Sequence, residues 1–373
     1  GDGSRVHTCN RVLPNSVITS LGSCLLRRSE DCGFQVSKSI LELGMDFVHN
    51  HPVKLSAAGF LSVWAIWWKL VLVPASRSIK PWGPRWLATF VSGLLYRFGA
   101  FWMTFSHDVE DHIKSGTFCS DSKQNYMIVW HPHGSFTIAS LYFLSHFWAK
   151  GYPEKGWFVC VAPLLLNIPG LAEFLLMCGA RSSDSKTFTK LLKSGGTVGI
   201  QPGGLLEQVM TDHEREVVYF PGLGFIKTAI RTGAPLLPCY AFGENQLYWT
   251  KPWVRSINQF FYKHLKTGTL VIIGQFGIPN SPILPNPGMF PVYKTGLHLR
   301  FGEPVDVGEA DENPDDERIN EVFERYIQAL TKLFDAHKNE LLPKDVAAKG
   351  LIVERPQRRS RKDGATSDRK KEK

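Results

Sequence analysis

From about residue 120 onward, short apolar runs alternate with stretches whose apolar positions recur every three or four residues. The runs at 126–130 (YMIVW), 157–162 (WFVCVA), 197–200 (TVGI), 235–242 (PLLPCYAF), 269–274 (TLVIIG) and 297–302 (LHLRFG) predict strands. Helical runs at 138–150, 170–178, 185–194, 222–233 and 253–266 lie between them. This alternation predicts an α/β domain in which helices are layered on a sheet. The last helix is the clearest: Ile319, Val322, Phe323, Tyr326, Ile327, Leu330, Leu333 and Phe334 form one apolar stripe, and Asn313, Pro314 and the acids at 315–317 mark its start. The chain shows no internal repeat.

Upstream the pattern changes. Residues 55–73 and 86–105 are two apolar stretches of 19 and 20 residues carrying one cation each, Lys69 and Arg97. Both are near the length that spans hydrocarbon, and Trp64, Trp67, Trp68, Trp82, Trp86 and Trp102 suit the headgroup level. The link between them holds Arg77, Lys80 and Arg85 without an acid, whereas 106–125 carries four acids against two lysines. That asymmetry places the link on the cytosolic side. A hairpin wedge dipping into one leaflet keeps the basic tip and both flanks at the same anionic surface.

Composition narrows the choices. With 43% hydrophobic and 21% charged residues in 373, the chain can bury a large core. Its net charge of +9 is mostly a tail: residues 355–373 contribute nine Lys or Arg against three acids, leaving about +3 elsewhere. The tail has no aromatic residue for base stacking, which disfavours nucleic acid as a partner. Seven scattered cysteines without a C-x-x-C pair favour reduced thiols in or facing the cytosol. No zinc-type ligand spacing appears, so no metal is expected. The domain plan is an extension at 1–50, a membrane hairpin at 51–105, a catalytic domain at 106–345 and a basic disordered tail at 346–373.

In α/β sheets, sites gather beyond the carboxyl ends of strands. The run at 126–130 leads into His131, Pro132, His133 and Gly134. Histidine suits proton transfer near neutrality, and Gly134 admits a close approach to the backbone. A second strand end leads into Pro202, Gly203 and Gly204, a turn whose amides can hold a phosphate or an oxyanion. Glu207, three residues on, is near enough to orient a histidine from the first loop. A third segment opens a helix at Gly224 and Phe225, with Lys227 and Arg231 four residues apart on one face, where they can meet phosphates. Arg181 follows another apolar run. Serine-hydrolase, P-loop and dinucleotide motifs are missing.

Taken in order, HPHG (131–134), QPGGLLE (201–207), GFIKTAIRTGAPLLPCYAFGE (224–244) and ERYIQALTKLFDAHK (324–338) resemble the type-2 diacylglycerol acyltransferase family, which includes monoacylglycerol and wax-alcohol acyltransferases. The hairpin upstream belongs to the same pattern, so the likeness covers about residues 50–342. It implies a glycerolipid-acyltransferase-like layered α/β domain with an N-terminal membrane hairpin. It also implies acyl transfer from acyl-CoA, a co-substrate with no further cofactor, to diacylglycerol or a related lipid alcohol. His133 is then the expected base, with His131 as base or positioner. Amides at Gly203 and Gly204, or at the helix start after Gly134, are expected to meet the oxyanion. Arg181, Lys227 and Arg231 are expected at the CoA phosphates, and Pro202, Gly224 and Phe225 belong to the substrate-binding set. The wider superfamily motif is H-x-x-x-x-D, yet position 138 is Ile, and the Tyr-Phe-Pro of many members is absent from 105–125. Lys370, Lys371, Glu372 and Lys373 resemble a dilysine retrieval signal. The expected location is the endoplasmic-reticulum membrane, with the catalytic domain and C-terminus facing the cytosol, and with lipid droplets and a homo-oligomer left open. A non-catalytic lipid-binding protein on the same fold is the competing reading.

Overall fold

The computed structural model describes residues 52–114, 125–140, 157–281 and 296–356. The N-terminal extension, residues 357–373 of the basic tail with its dilysine-like end, and most of the helix expected at 138–150 lie outside the described residues. The start of the expected tail is ordered instead, because Leu351–Glu354 pair as a strand with Glu216–Tyr219. The chain divides into two compact units, 1–66 and 67–373.

Seven strands form the main sheet: β1 (Phe105–His107), β2 (Met127–His131), β3 (Trp157–Val161), β4 (Ala180–Ser182), β5 (Thr197–Ile200), β7 (Leu236–Phe242) and β10 (Leu297–Phe301), in the order β1-β10-β7-β2-β5-β3-β4. From β7 to β4 all neighbours are parallel, and β10 runs antiparallel to β7. Two small ribbons stand apart: β6 (Glu216–Tyr219) with β11 (Leu351–Glu354), and β8 (Ile272–Ile273) with β9 (Pro279–Asn280). The longer helices are α1 (Pro52–Trp67), α2 (Arg85–Trp102), α3 (Leu171–Met177), α4 (Ser185–Lys193), α5 (Gly204–Met210), α6 (Gly224–Thr232), α7 (Pro252–Leu265) and α8 (Asp316–Leu341).

The central strand β2 is buried at all five positions, as expected of a parallel strand covered on both faces. On one face α4, α6 and α8 bury Phe188, Leu191, Phe225, Ile226, Ile230 and the predicted stripe of α8 against Met127, Val129, Tyr240 and Phe242. Asp315 starts α8 by accepting from the Arg318 amide at 2.8 Å, a side-chain cap of the kind expected there. The other face carries Ile128, Trp130, Leu237, Cys239 and Leu299, with Ala139 and the half-buried Tyr96 of α2 against them.

Two expectations change. The apolar run at 269–274 forms a strand only at Ile272–Ile273, because Asn258 satisfies the main chain before it. Its Oδ1 accepts from the Leu270 and Val271 amides at 3.0 and 2.9 Å, and its Nδ2 donates to the Val271 carbonyl at 2.8 Å. The stretch at 86–105 is not one segment: α2 ends at Trp102, and Phe105 already pairs with Leu297 in the main sheet.

Among the described residues, one helical stretch, Gly59–Ser76, is long and apolar enough to cross a membrane. α2 instead buries Ala88 and Ser92, the latter 3.5 Å from the Cys178 sulfur. Its other side exposes Trp86, Phe90, Leu94, Phe98 and Phe101. That spacing of four, four, four and three makes a single apolar stripe facing outward.

Candidate active site

β2 delivers His131 to the carboxyl end of the sheet, in register with Tyr240 of β7. A cis peptide joins His131 to Pro132, and Gly134 follows at φ +66. β5 ends beside it at Ile200, and the turn from Gln201 to Gly204 leads directly into α5. Glu207 on the first turn of α5 points back under the histidine loop.

The Glu207 carboxylate, itself buried, is the hub. His131 Nδ1 lies 3.2 and 3.3 Å from its two oxygens. The His133 amide donates to Oε1 at 2.6 Å, and the Tyr219 amide donates to Oε2 at 3.0 Å. A carboxylate at Nδ1 fixes the tautomer with its proton there, which leaves Nε2 as the acceptor. Gly203 makes this arrangement feasible, since a Cβ at that position would lie 2.0 Å from Glu207 Oε2.

The two rings differ. His131 is fully buried against Phe220, edge-on at 5.0 Å, and its Nε2 is buried without a hydrogen-bond partner. His133 is half-buried, and its Nδ1 is likewise buried and unpartnered. Desolvation lowers the His133 pKa below 6.5, against the opposing field of Glu207. The ring is therefore neutral at pH 7, the form that accepts a proton.

Further side chains hold the loop. Thr137 Oγ1 donates to Gln201 Oε1 at 3.1 Å, and Gln208 Nε2 donates to the Ser135 carbonyl at 3.1 Å. Glu244, buried just past the end of β7, accepts from the Ile138 and Ala139 amides at 2.9 and 2.8 Å. Its Cγ is 2.6 Å from where a Gly134 side chain would begin. Burial pushes the Glu244 carboxyl up to about 8 in spite of those two donors. Behind it Glu216, raised to about 7 by burial, accepts from Tyr240, Asn245 and Gln246 at 2.6, 2.8 and 2.7 Å.

His131, His133, Glu207 and Gly203 thus come together. Other expected members stand elsewhere. The Gly204 amide donates to the Gln201 carbonyl at 3.1 Å, so it belongs to the turn rather than to an oxyanion. The amides at the helix start after Gly134 are occupied by Glu244. Arg181 is fully buried and donates to the carbonyls of Ser78, Leu176, Ala180 and Lys80 at 2.6–3.3 Å, with its guanidinium over the Phe158 ring. It clamps main chain and is not placed to meet CoA phosphates. Phe225 is buried and stacked on Phe220 at 5.9 Å, as a wall behind His131. Gly224 begins α6, Lys227 lies on the same helix, and Arg231 Nε donates to the Glu312 carbonyl at 2.8 Å. Sequence reasoning missed Gln201, Gln208, Glu216 and Glu244. The signal within reach was position: three of them flank the strand-end runs already singled out.

Comparison with known proteins places this geometry in a family. The Diacylglycerol acyltransferase family profile matches residues 114–349, more than half of the chain and inclusive of every residue of the site. Diacylglycerol O-acyltransferase 2-like protein 6 of Mus musculus is 30% identical over 228 residues, 58% of this chain and 67% of that protein. 2-Acylglycerol O-acyltransferase 1 of Bos taurus is 28% identical over 253 residues, 65% of this chain and 73% of that protein. Acyl-CoA wax alcohol acyltransferase 2 of Homo sapiens is 29% identical over 232 residues, 58% of this chain and 67% of that protein. Among solved structures, the 1-acyl-sn-glycerophosphate acyltransferase of Thermotoga maritima matches with a TM-score of 0.37 at 17% identity, over 66% of this chain and 81% of its own. By the extent of the profile match, this chain belongs to the diacylglycerol acyltransferase family.

Proposed function

We propose that the chain is a membrane-bound O-acyltransferase that moves a fatty acyl group from acyl-CoA to the hydroxyl of diacylglycerol, giving triacylglycerol. The observation that carries the reading is the pair of histidines tied to one buried carboxylate, each with an unpartnered ring nitrogen. In this reading His133, the ring with access to solvent, takes the acceptor's hydroxyl proton as the oxygen attacks the thioester carbonyl. The new ester C–O bond forms, the C–S bond breaks, and the proton passes from the imidazolium to the departing CoA thiolate. Glu207, itself held by His131, positions His133 through its amide. The Gly203 amide is the turn's candidate for oxyanion support, a contribution of about 3 kcal/mol per donor in other enzymes. No cofactor beyond acyl-CoA enters.

Relatives named for 2-acylglycerol and for wax alcohol keep those acceptors as alternatives with the same chemistry. The buried dyad of His131 with Glu207 favours a second assignment in which His131 Nε2 is the base once substrate reaches it. The outward stripe of α2 and the apolar stretch Gly59–Ser76 support attachment to a bilayer from which a water-insoluble acceptor can enter. The proposed setting is the endoplasmic-reticulum membrane, with the catalytic domain and C-terminus in the cytosol and lipid droplets as a further site.

The test is incorporation of labelled oleoyl-CoA by membranes carrying the chain in cells without neutral-lipid synthesis, with diacylglycerol, monoacylglycerol and fatty alcohol offered separately. Triacylglycerol formed by the parent and lost in His133→Ala is the expected result. Loss in His131→Ala with His133→Ala still active would move the base to His131. No ester from any acceptor, with folded and membrane-bound protein, would leave a lipid-binding protein.

A further inference from the structure

A groove of about 710 Å³ runs between α4 and α6, lined by Ser185, Lys186, Thr189, Lys190, Lys193, Ser194, Thr228 and Arg231. Four of these side chains are cations, and the other four are hydroxyls. Lys186, Lys190 and Lys193 follow one another at i, i+4 and i+7, so α4 presents them along one side, and all three are exposed.

The charge is unevenly neutralised. At the far end Lys193 pairs with Glu312 at 2.6 Å, and Arg231 donates to the Glu312 carbonyl. At the near end stands Asp184, the N-cap of α4. Its oxygens accept from the Thr187 amide and hydroxyl, and Arg77 lies 3.9 Å away. Lys186 and Lys190 have no ion-pair partner among the described residues.

The near end is also the catalytic end. α4 leaves β4 at the carboxyl side of the sheet, and α6 follows the segment that carries Tyr219 and Phe220. The Tyr219 amide is bound to Glu207, Phe220 packs on His131, and Phe225 in the first turn of α6 stacks on Phe220. The helix that forms one wall of the groove therefore starts one ring away from His131, and its first lining residue, Thr228, comes about one turn later. A nine-residue helix extends it about 13 Å from there, so it suits an elongated ligand whose reactive end lies at the sheet edge. α4 and α6 cover the sheet face opposite to the one that Tyr96 of α2 packs against. The groove thus opens away from the apolar stripe of α2 and toward water.

We propose that this groove holds the phosphates of the CoA head group of the acyl donor, with Lys186 and Lys190 as the contacts nearest the site. The inference rests on the acyl-CoA reading above. Paired lysines with adjacent hydroxyls suit phosphate oxygens, and the cations lie on exposed helix positions where their replacement leaves the core untouched.

The experiment titrates detergent-solubilised protein with CoA and with 3′-dephospho-CoA by calorimetry, for the parent and for the double variant Lys186→Glu with Lys190→Glu, and measures KM for oleoyl-CoA beside it. The parent is expected to prefer CoA. The variant is expected to bind CoA about tenfold or more weakly, to lose the preference, and to show a KM raised in step. Unchanged affinity and KM in an active variant overturn the groove and leave the acyl-transfer reading standing. Lysine-dependent CoA binding by a parent that forms no ester supports the groove and sinks that reading. A variant that binds CoA normally but no longer binds phosphatidylserine vesicles would show that the lysines read lipid phosphates, and overturns the proposal.

Discussion

The loop after β2 and the clamp made by Arg181, within β4, belong to the same sheet, and both are buried and polar. They are built on opposite terms. Arg181 gives four hydrogen bonds to main-chain carbonyls, and burial lowers its pKa only to about 10, so it stays charged and fully employed. The histidine loop leaves His131 Nε2 and His133 Nδ1 buried and unpartnered, which costs free energy unless a ligand completes them. A satisfied buried polar group marks architecture, and an unsatisfied one, held in place by satisfied neighbours, marks chemistry.

Substitution separates the two most sharply. His133→Ala is expected to lower the acyl-transfer rate about 10²–10⁴-fold with the unfolding transition in place. Arg181→Ala is expected to destabilise by about 2–4 kcal/mol through orphaned carbonyls and a lost aromatic contact, with activity falling only as folded protein is lost. Thermal unfolding and initial rates on the same samples decide it. An Arg181→Ala protein that is stable but inactive would return that residue to the substrate. The rate is also expected to hold steady through pH 6.5 and to fall only at more acidic pH, because a base with a lowered pKa is protonated only there.

Much of this was legible in the sequence, and the limits have physical causes. The strand at 197–200 and the stripe of α8 are written in period and composition, and the observed elements match them. β4 and β6 were not legible: three or four residues with Arg, Ser or Glu among them carry no period, and only their neighbours in space make them strands. For the site, His131 and His133 announced themselves, and Glu207 was within reach because its turn had been identified. Glu244 was hidden, since its partners are backbone amides more than a hundred residues away. Arg181 misled for the reverse reason, since a cation after an apolar run looks the same whether it meets phosphates or carbonyls.

A smaller effect is expected at Gly203. Alanine there would drive its methyl onto Glu207 Oε2, a carboxylate pinned by His131 and two amides, so the side chain or the loop must shift. A displacement on the order of 1 Å at a catalytic group costs about 10²-fold in rate, while the turn itself survives. Gly203→Ala is therefore expected to lower turnover with a thermal midpoint close to the parent's. Wild-type turnover would show that Glu207 does not position the histidines.

The smallest and most specific effect concerns Glu244, which like Arg181 is bound by main chain but lies against the histidine loop. Its folded pKa of about 8 stands above the ordinary 4.5. Between those values the unfolded state releases a proton that the folded state keeps, so the folded state loses stability as pH rises through that window. Above about 8 both states are ionised and the slope ends. Glu216, raised to about 7, acts in the same direction and is unaffected by a change at Glu244. Glu244→Gln removes the titration but puts an amide donor where Glu244 accepts from two, so its stability is expected to be lower at pH 5. The difference from the parent should then narrow as pH rises toward 8. Chemical denaturation at pH 5, 6.5 and 8 measures it, and parallel curves for the two proteins would mean that Glu244 is ionised throughout. In that case the carboxylate would resemble Arg181, a charge fully satisfied by main chain, and the contrast between the two loops would narrow to the histidines alone.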